Sequence, residues 1–260
     1  MATKRKQKLS ARAPRVFYRI SLSEEKADNL FYPEYSILFK TVESVNSFYE
    51  LYQVGRRRAT GGPSTHKQQD LYRAMLIFAC AGLDVFVKKL VTDKLSKLIP
   101  VDKEVERKFM EYVQKGLKDE KILNTLGLAL ISNTPRDVFL SEYIKSMTGD
   151  SLQSVEALCT VSNASGLETK KIFNKARIDI LKEAFTVRNQ IIHEMDINTE
   201  SGTSRTTGYR TRRQRRSTEM EKHTKSVLEL AEELLIAYKE RFQNFKIGTE
   251  KPTISKAPSP

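Results

Sequence analysis

Apolar residues recur three, four and seven apart along four long stretches of the chain, the spacing of amphipathic helices rather than of strands. The first stretch follows Pro33, with Tyr35, Leu38, Val42, Val45, Tyr49 and Tyr52 on one stripe, and predicts a helix over about residues 34 to 58. Gly55 and the Gly61-Gly62-Pro63 turn close it, and Arg56, Arg57 and Arg58 fall in its last turn, where cations suit the helix dipole. A second helix is expected from Ser64 or Thr65 to about Leu98, stopping at Pro100. Between Ala74 and Val87 it is apolar on every side except for Asp84, which predicts a central buried helix.

A third helix is expected from about Lys175 to Met195, with Ile178, Leu181, Phe185, Ile192 and Met195 as its apolar stripe. The fourth starts at Thr218, where Thr218 and Glu221 have capping-box spacing, and carries Val227, Ala231, Leu234, Tyr238, Phe242 and Phe245 on one stripe. Between the second and third helices the text breaks at Gly116, Gly127, Pro135 and Gly149, predicting helices near 102 to 116, 119 to 131, 136 to 147 and 151 to 162. This is an inserted helical subdomain over residues 101 to 165. The fold class expected is all-α, a bundle of four long helices with that insertion. Gly-rich phosphate loops and alternating β text are missing, which argues against an NTPase or dinucleotide enzyme.

Charge changes this picture in two places. Residues 1 to 15 and 201 to 217 each carry six Lys or Arg and no acid, so twelve of the net +13 lie there. The body is nearly neutral, and the excess is presented by segments that read as flexible: a basic tail over 1 to 20 and a basic mobile loop over 198 to 217. The loop's Arg205, Arg210, Arg212, Arg213, Arg215 and Arg216 surround Tyr209 and are candidate RNA ligands. The domain proper is expected over 21 to 246, with a disordered Pro/Ser/Lys-rich tail over 247 to 260. No stretch approaches the roughly 18 consecutive apolar residues of a membrane span, and a cytoplasmic protein is expected. Cys80, Cys159 and the three histidines are too scattered for a zinc site, and no cofactor is expected.

Candidate chemistry is confined to Arg188-Asn189-Gln190-Ile191-Ile192-His193. Asn189 and His193, four apart, share a polar helix face that Thr186 and Asp196 continue. Arg188 falls inside the apolar stripe, and a charge placed there needs a reason. Arginine, amide and imidazole together suit a phosphodiester, as a fixed cation, an orienting hydrogen bonder and a proton carrier.

The pattern Arg-Asn, three residues, His, late in a helix of an all-helical chain, resembles the HEPN superfamily (higher eukaryotes and prokaryotes nucleotide-binding). The run from Arg188 to Glu194 and the helix over 71 to 89 look most like its RiboL-PSP branch. The resemblance implies a metal-independent endoribonuclease acting as a homodimer in phage defence, toxin-antitoxin or another stress-response system. It places Arg188, Asn189 and His193 at the catalytic positions and implies products with 2′,3′-cyclic phosphate and 5′-hydroxyl ends. It also places an acidic residue of the second helix near the motif, which Asp84 matches. An ion pair of Asp84 with a basic residue, either Arg73 of another chain or one on a neighbouring helix, is the other reading. RNA and a second copy are the implied partners, with an inhibitory antitoxin or sensor protein as a further one. The rival is a non-catalytic HEPN module that dimerises and binds nucleic acid or a partner. A Tyr-modified member is disfavoured, because Met195 stands two residues after the histidine.

Overall fold

The computed structural model describes residues 16–22, 29–58, 64–117, 127–197 and 212–247. Eight helices carry labels here: α1 (Tyr32–Arg58), α2 (His66–Leu98), α3 (Lys103–Gly116), α4 (Pro135–Thr148), α5 (Val155–Ala164), α6 (Thr169–Ile172), α7 (Lys175–Glu194) and α8 (Ser217–Asn244). A further helical stretch covers residues 127–131, and no named strand occurs among the described residues. The all-α class and the four long helices are as the periodicity requires. The basic residues up to Arg15, the loop residues Arg205 and Arg210, the start of the helix expected from 119, and the tail after 247 lie outside the described residues.

Helix α2 is the axis of the bundle, packed along α1 and α8, while α7 packs mainly on α8. Its Thr65 forms a full capping box with Gln68, which satisfies donors at the helix start that have no partner within the helix. Leu76, Leu83, Leu90 and Leu95 are fully buried. Each such side chain contributes about 1.5–3 kcal/mol relative to exposure. At Gly82 the helices touch: a Cβ there would lie 2.2 Å from the Thr41 side chain of α1. Gly82→Ala must therefore push α1 and α2 apart, and a loss of about 1–3 kcal/mol is expected in a denaturant unfolding series. Wild-type stability in that variant would mean that the contact has slack.

The insertion is fixed to the bundle by ions as well as packing. Asp102 caps α3 through the backbone N–H groups of Glu104 and Val105, and its other oxygen accepts from Arg241 Nε of α8 at 2.7 Å. Asp84, the polar exception in the apolar middle of α2, is partly exposed. Its side chain is 16% exposed, pairs with Lys88 of its own helix at 3.0 Å and accepts from the Leu152 N–H at 2.6 Å. It thus ties the chain entering α5 to α2.

Two expectations are corrected. Residues 16–20, expected as the end of the basic tail, pack on the body: Phe17 is buried, and the backbone N–H groups of Phe17 and Tyr18 donate to Asn46 Oδ1. Glu232 of α8 accepts from the Tyr18 hydroxyl and from the backbone N–H groups of Ser21 and Leu22. The Thr218–Glu221 capping box does not form, because α8 begins at Ser217 and Glu221 accepts instead from the Tyr72 hydroxyl at 2.9 Å.

Candidate active site and the family it belongs to

Asn174 caps the start of α7 through the Arg177 N–H, and the helix runs regularly to Glu194. It buries Leu181, Ala184, Phe185, Val187 and Ile191. The buried isoleucine of the motif is Ile191 rather than Ile192, which is 39% exposed, and Met195 is 62% exposed. Because α7 packs mainly on α8, the stripe tilts toward Val187 and Ile191, and the helix ends before Met195 can join it.

Arg188 lies between Ala184, Phe185 and Ile191 around the helix and is half-buried. Burial pushes the Cys80 thiol of α2 up to about 12, with the positive charge of Arg188 acting in the opposite direction, which places the guanidinium close to that helix. One Arg188 nitrogen donates to Asn189 Oδ1 at 2.9 Å, while Nε is buried with no partner. Among the described residues no carboxylate pairs with Arg188. Asn189 and His193 are exposed. The three motif residues therefore form a surface group on one helix: a cation sunk at the edge of the core, an amide held to it, and a free imidazole one turn on. Residues five apart point about 140° from each other, so Arg188 and His193 of one chain diverge.

The helix ends in an unusual way. Met195 and Asp196 both have positive φ, 53° and 55°, and both backbone N–H groups reach back to the Gln190 carbonyl. Two successive non-glycine residues in the left-handed region are costly and persist only where the surroundings fix them. The fixing group is Asp196 itself, fully buried. It pairs with Arg73 of α2 at 2.7 Å and with Arg215 at 2.7 Å, and its backbone carbonyl accepts from the Arg213 N–H. Arg215 also donates to Gln190 Oε1 at 2.6 Å, and Arg73 to the Arg213 carbonyl at 2.8 Å. Asp196 has thus left the polar face expected to continue from His193 and serves as the anchor of the motif helix. Arg73, which shares no contact with Asp84 among the described residues, is its buried counter-ion.

The arginines after residue 211 follow the same logic. Arg212 pairs with Asp70 at 2.7 Å, Arg213 with Glu194 at 3.0 Å and Arg215 with Asp196, and Ile197 and Arg212 form an antiparallel bridge. These three pair with carboxylates of their own chain, so the described residues 212 to 216 of the expected basic loop are tied to the body of the protein. Arg216 is exposed and has no acidic partner among the described residues. Asp84 has both its partners outside the motif. A buried histidine that the motif did not announce, His223 of α8, faces α7 with Nε2 at 3.4 Å from Glu183.

The family model described as RiboL-PSP-HEPN matches residues 36–242, well over half of the chain and all four long helices. The chain belongs to the RiboL-PSP-HEPN family. Searches of curated proteins and of solved structures give no match. The HEPN assignment carries a general nuclease or RNA-related role, and HEPN domains often bind RNA and dimerise. Among the described residues no helix is long and apolar enough to cross a membrane.

Proposed function

We propose that this HEPN protein is a metal-independent endoribonuclease whose cleft is built from the Arg188, Asn189 and His193 of two copies. The observation that carries the reading is Arg188, a half-buried cation with a buried, unpartnered Nε and no counter-ion among the described residues. Burying such a group costs free energy unless an anion completes it, and a phosphate presents the geometry that a guanidinium fork matches.

RNA brings its own nucleophile, the 2′-hydroxyl beside the phosphorus. Cleavage then needs a base for that proton, an acid for the departing 5′-oxygen and charge stabilisation on the phosphorane. One His193 accepts the 2′-hydroxyl proton, the His193 of the second copy protonates the leaving oxygen, and Arg188 binds the non-bridging oxygens. Asn189, already bonded to Arg188, orients it. Since Arg188 and His193 diverge on one helix, a two-fold pairing of α7 helices brings the groups together. The products are a 2′,3′-cyclic phosphate and a 5′-hydroxyl. Arg216, with Arg205 and Arg210, supplies backbone contacts to the RNA, and the setting is phage defence, toxin-antitoxin control or another stress response.

The test is incubation of the purified protein with total RNA in excess EDTA, followed by end mapping. Cleavage with cyclic phosphate ends is expected. Intact RNA at all protein concentrations, or cuts leaving 3′-hydroxyl ends, would overturn the reading.

A further inference from the structure

Beside the motif, a groove of about 370 Å³ runs between α7 and α8. Glu183, Val187 and Gln190 line it from α7, Glu219 and His223 from α8, and Arg215 from the segment before α8. Its floor is His223, only 1% exposed, with Nδ1 buried and unpartnered and Nε2 in a single long contact, 3.4 Å, with Glu183. A buried imidazole with so much unused hydrogen-bonding capacity calls for an explanation. Gln190 ties the groove to the motif: it lies three residues before His193, about 60° from it around the helix and about 4.5 Å along the axis.

The charges decide what fits. Arg215 is already matched by buried Asp196, and Lys182 at the rim by Glu156 at 3.3 Å, whereas Glu183 and Glu219 stand exposed at the mouth. Two carboxylates repel a phosphate, but they accept hydrogen bonds from N–H donors on a flat polar edge. Arg215, its guanidinium fixed by Asp196 and Gln190, and Val187 also line the groove, and a fixed guanidinium beside an apolar side chain is the kind of surrounding that proteins give to unpaired bases.

We propose that this groove seats one unpaired nucleobase of the RNA next to the scissile phosphate and prefers a base with an exocyclic amino group over uracil. The proposal rests on the nuclease reading of the adjoining face. Glu183 and Glu219 accept from the amino group, His223 contacts the ring edge, and the base lies against Arg215.

The test uses full-length His193→Ala protein, which holds RNA without cutting it, and a pool of single-stranded RNA heptamers randomised at every position. Sequencing the bound fraction at equilibrium is expected to show uracil depleted about tenfold at one position, the scale of one charge-assisted hydrogen bond. Adding Glu183→Gln and Glu219→Gln, which keep the side-chain shape and an acceptor oxygen at two exposed positions, should erase that depletion, and His223→Gln should weaken it; an unchanged urea melt shows that the fold is kept. A pool that does not bind, a flat profile, or a depletion that survives the double change overturns the proposal. Free AMP, GMP or CMP binding the groove as tightly as RNA also overturns it, by assigning the groove to a free nucleotide. The readout is independent of cleavage. A preference without wild-type cutting in EDTA sinks the nuclease reading alone, and cutting without a preference sinks the groove alone.

Discussion

His193→Ala is expected to lower RNA cleavage by about 10²–10⁴-fold, the usual contribution of a positioned general acid or base. Folding and RNA affinity should hardly change, because the ring is exposed and packs on nothing that a methyl group would fail to support. Arg188→Met provides the contrast. Its unbranched stem fills similar space at the edge of the core, and it removes a half-buried cation that has no counter-ion among the described residues. Stability is expected to stay level or rise by about 1 kcal/mol, while cleavage falls with that of His193→Ala. A structural arginine behaves in the opposite way, losing stability first. Rate measurements under single-turnover conditions and urea melts on both variants separate the two roles. A His193→Ala protein that cuts at the wild-type rate removes the imidazole from the mechanism.

The largest effect on stability is expected at Asp196. Asp196→Ala leaves Arg73, 3% exposed, with only the half-exposed Asp70 at 3.1 Å as a counter-ion; losing the buried partner of such a pair costs up to about 3–5 kcal/mol, and the remaining Asp70 contact puts the expected loss at the low end. The loss reaches the site as well. Without the Asp196 carboxylate the Met195–Asp196 reversal keeps its backbone bonds and the Arg215–Gln190 contact but loses its ion-pair tie to α2, which loosens the last turn, carrying His193. Alanine at φ 55° adds about 1 kcal/mol of its own. Denaturant midpoints at fixed protein concentration measure this. If Asp196→Ala unfolds like wild type, the ion cluster is ornamental and the end of α7 is held by packing alone.

Helix positions and the anomaly at Arg188 are legible in the residues because they are local: a 3.6-residue period names the faces, and a charge inside it stands out. What lies beyond the last turn is not. Helix ends are announced by Gly or Asn in the left-handed position, and here Met195 and Asp196 take it, so the polar face seems to run on to Asp196. The pairings that hold Asp196, Arg212 and Arg215 span distant parts of the chain, and a run of arginines after Gly202, Gly208 and several Ser and Thr reads as free charge until the carboxylates come alongside. Ile191 and Ile192 are adjacent, and only the side on which α8 lies decides between them. His223 sits on a helix face that reads as ordinary core, and nothing in its neighbours points across to Glu183.

The central claim is a ribonuclease cleft that needs His193 from two chains, and a subunit-mixing series tests it most directly. Wild-type protein is mixed with increasing excess of His193→Ala protein in EDTA, with subunit exchange verified, and the cleavage rate per wild-type chain is followed on a labelled RNA. The account predicts that this rate falls in proportion to the wild-type fraction, because every mixed dimer lacks either its base or its acid. A rate per wild-type chain that stays flat at all ratios, or an unmixed wild-type sample that leaves the RNA whole, would contradict it.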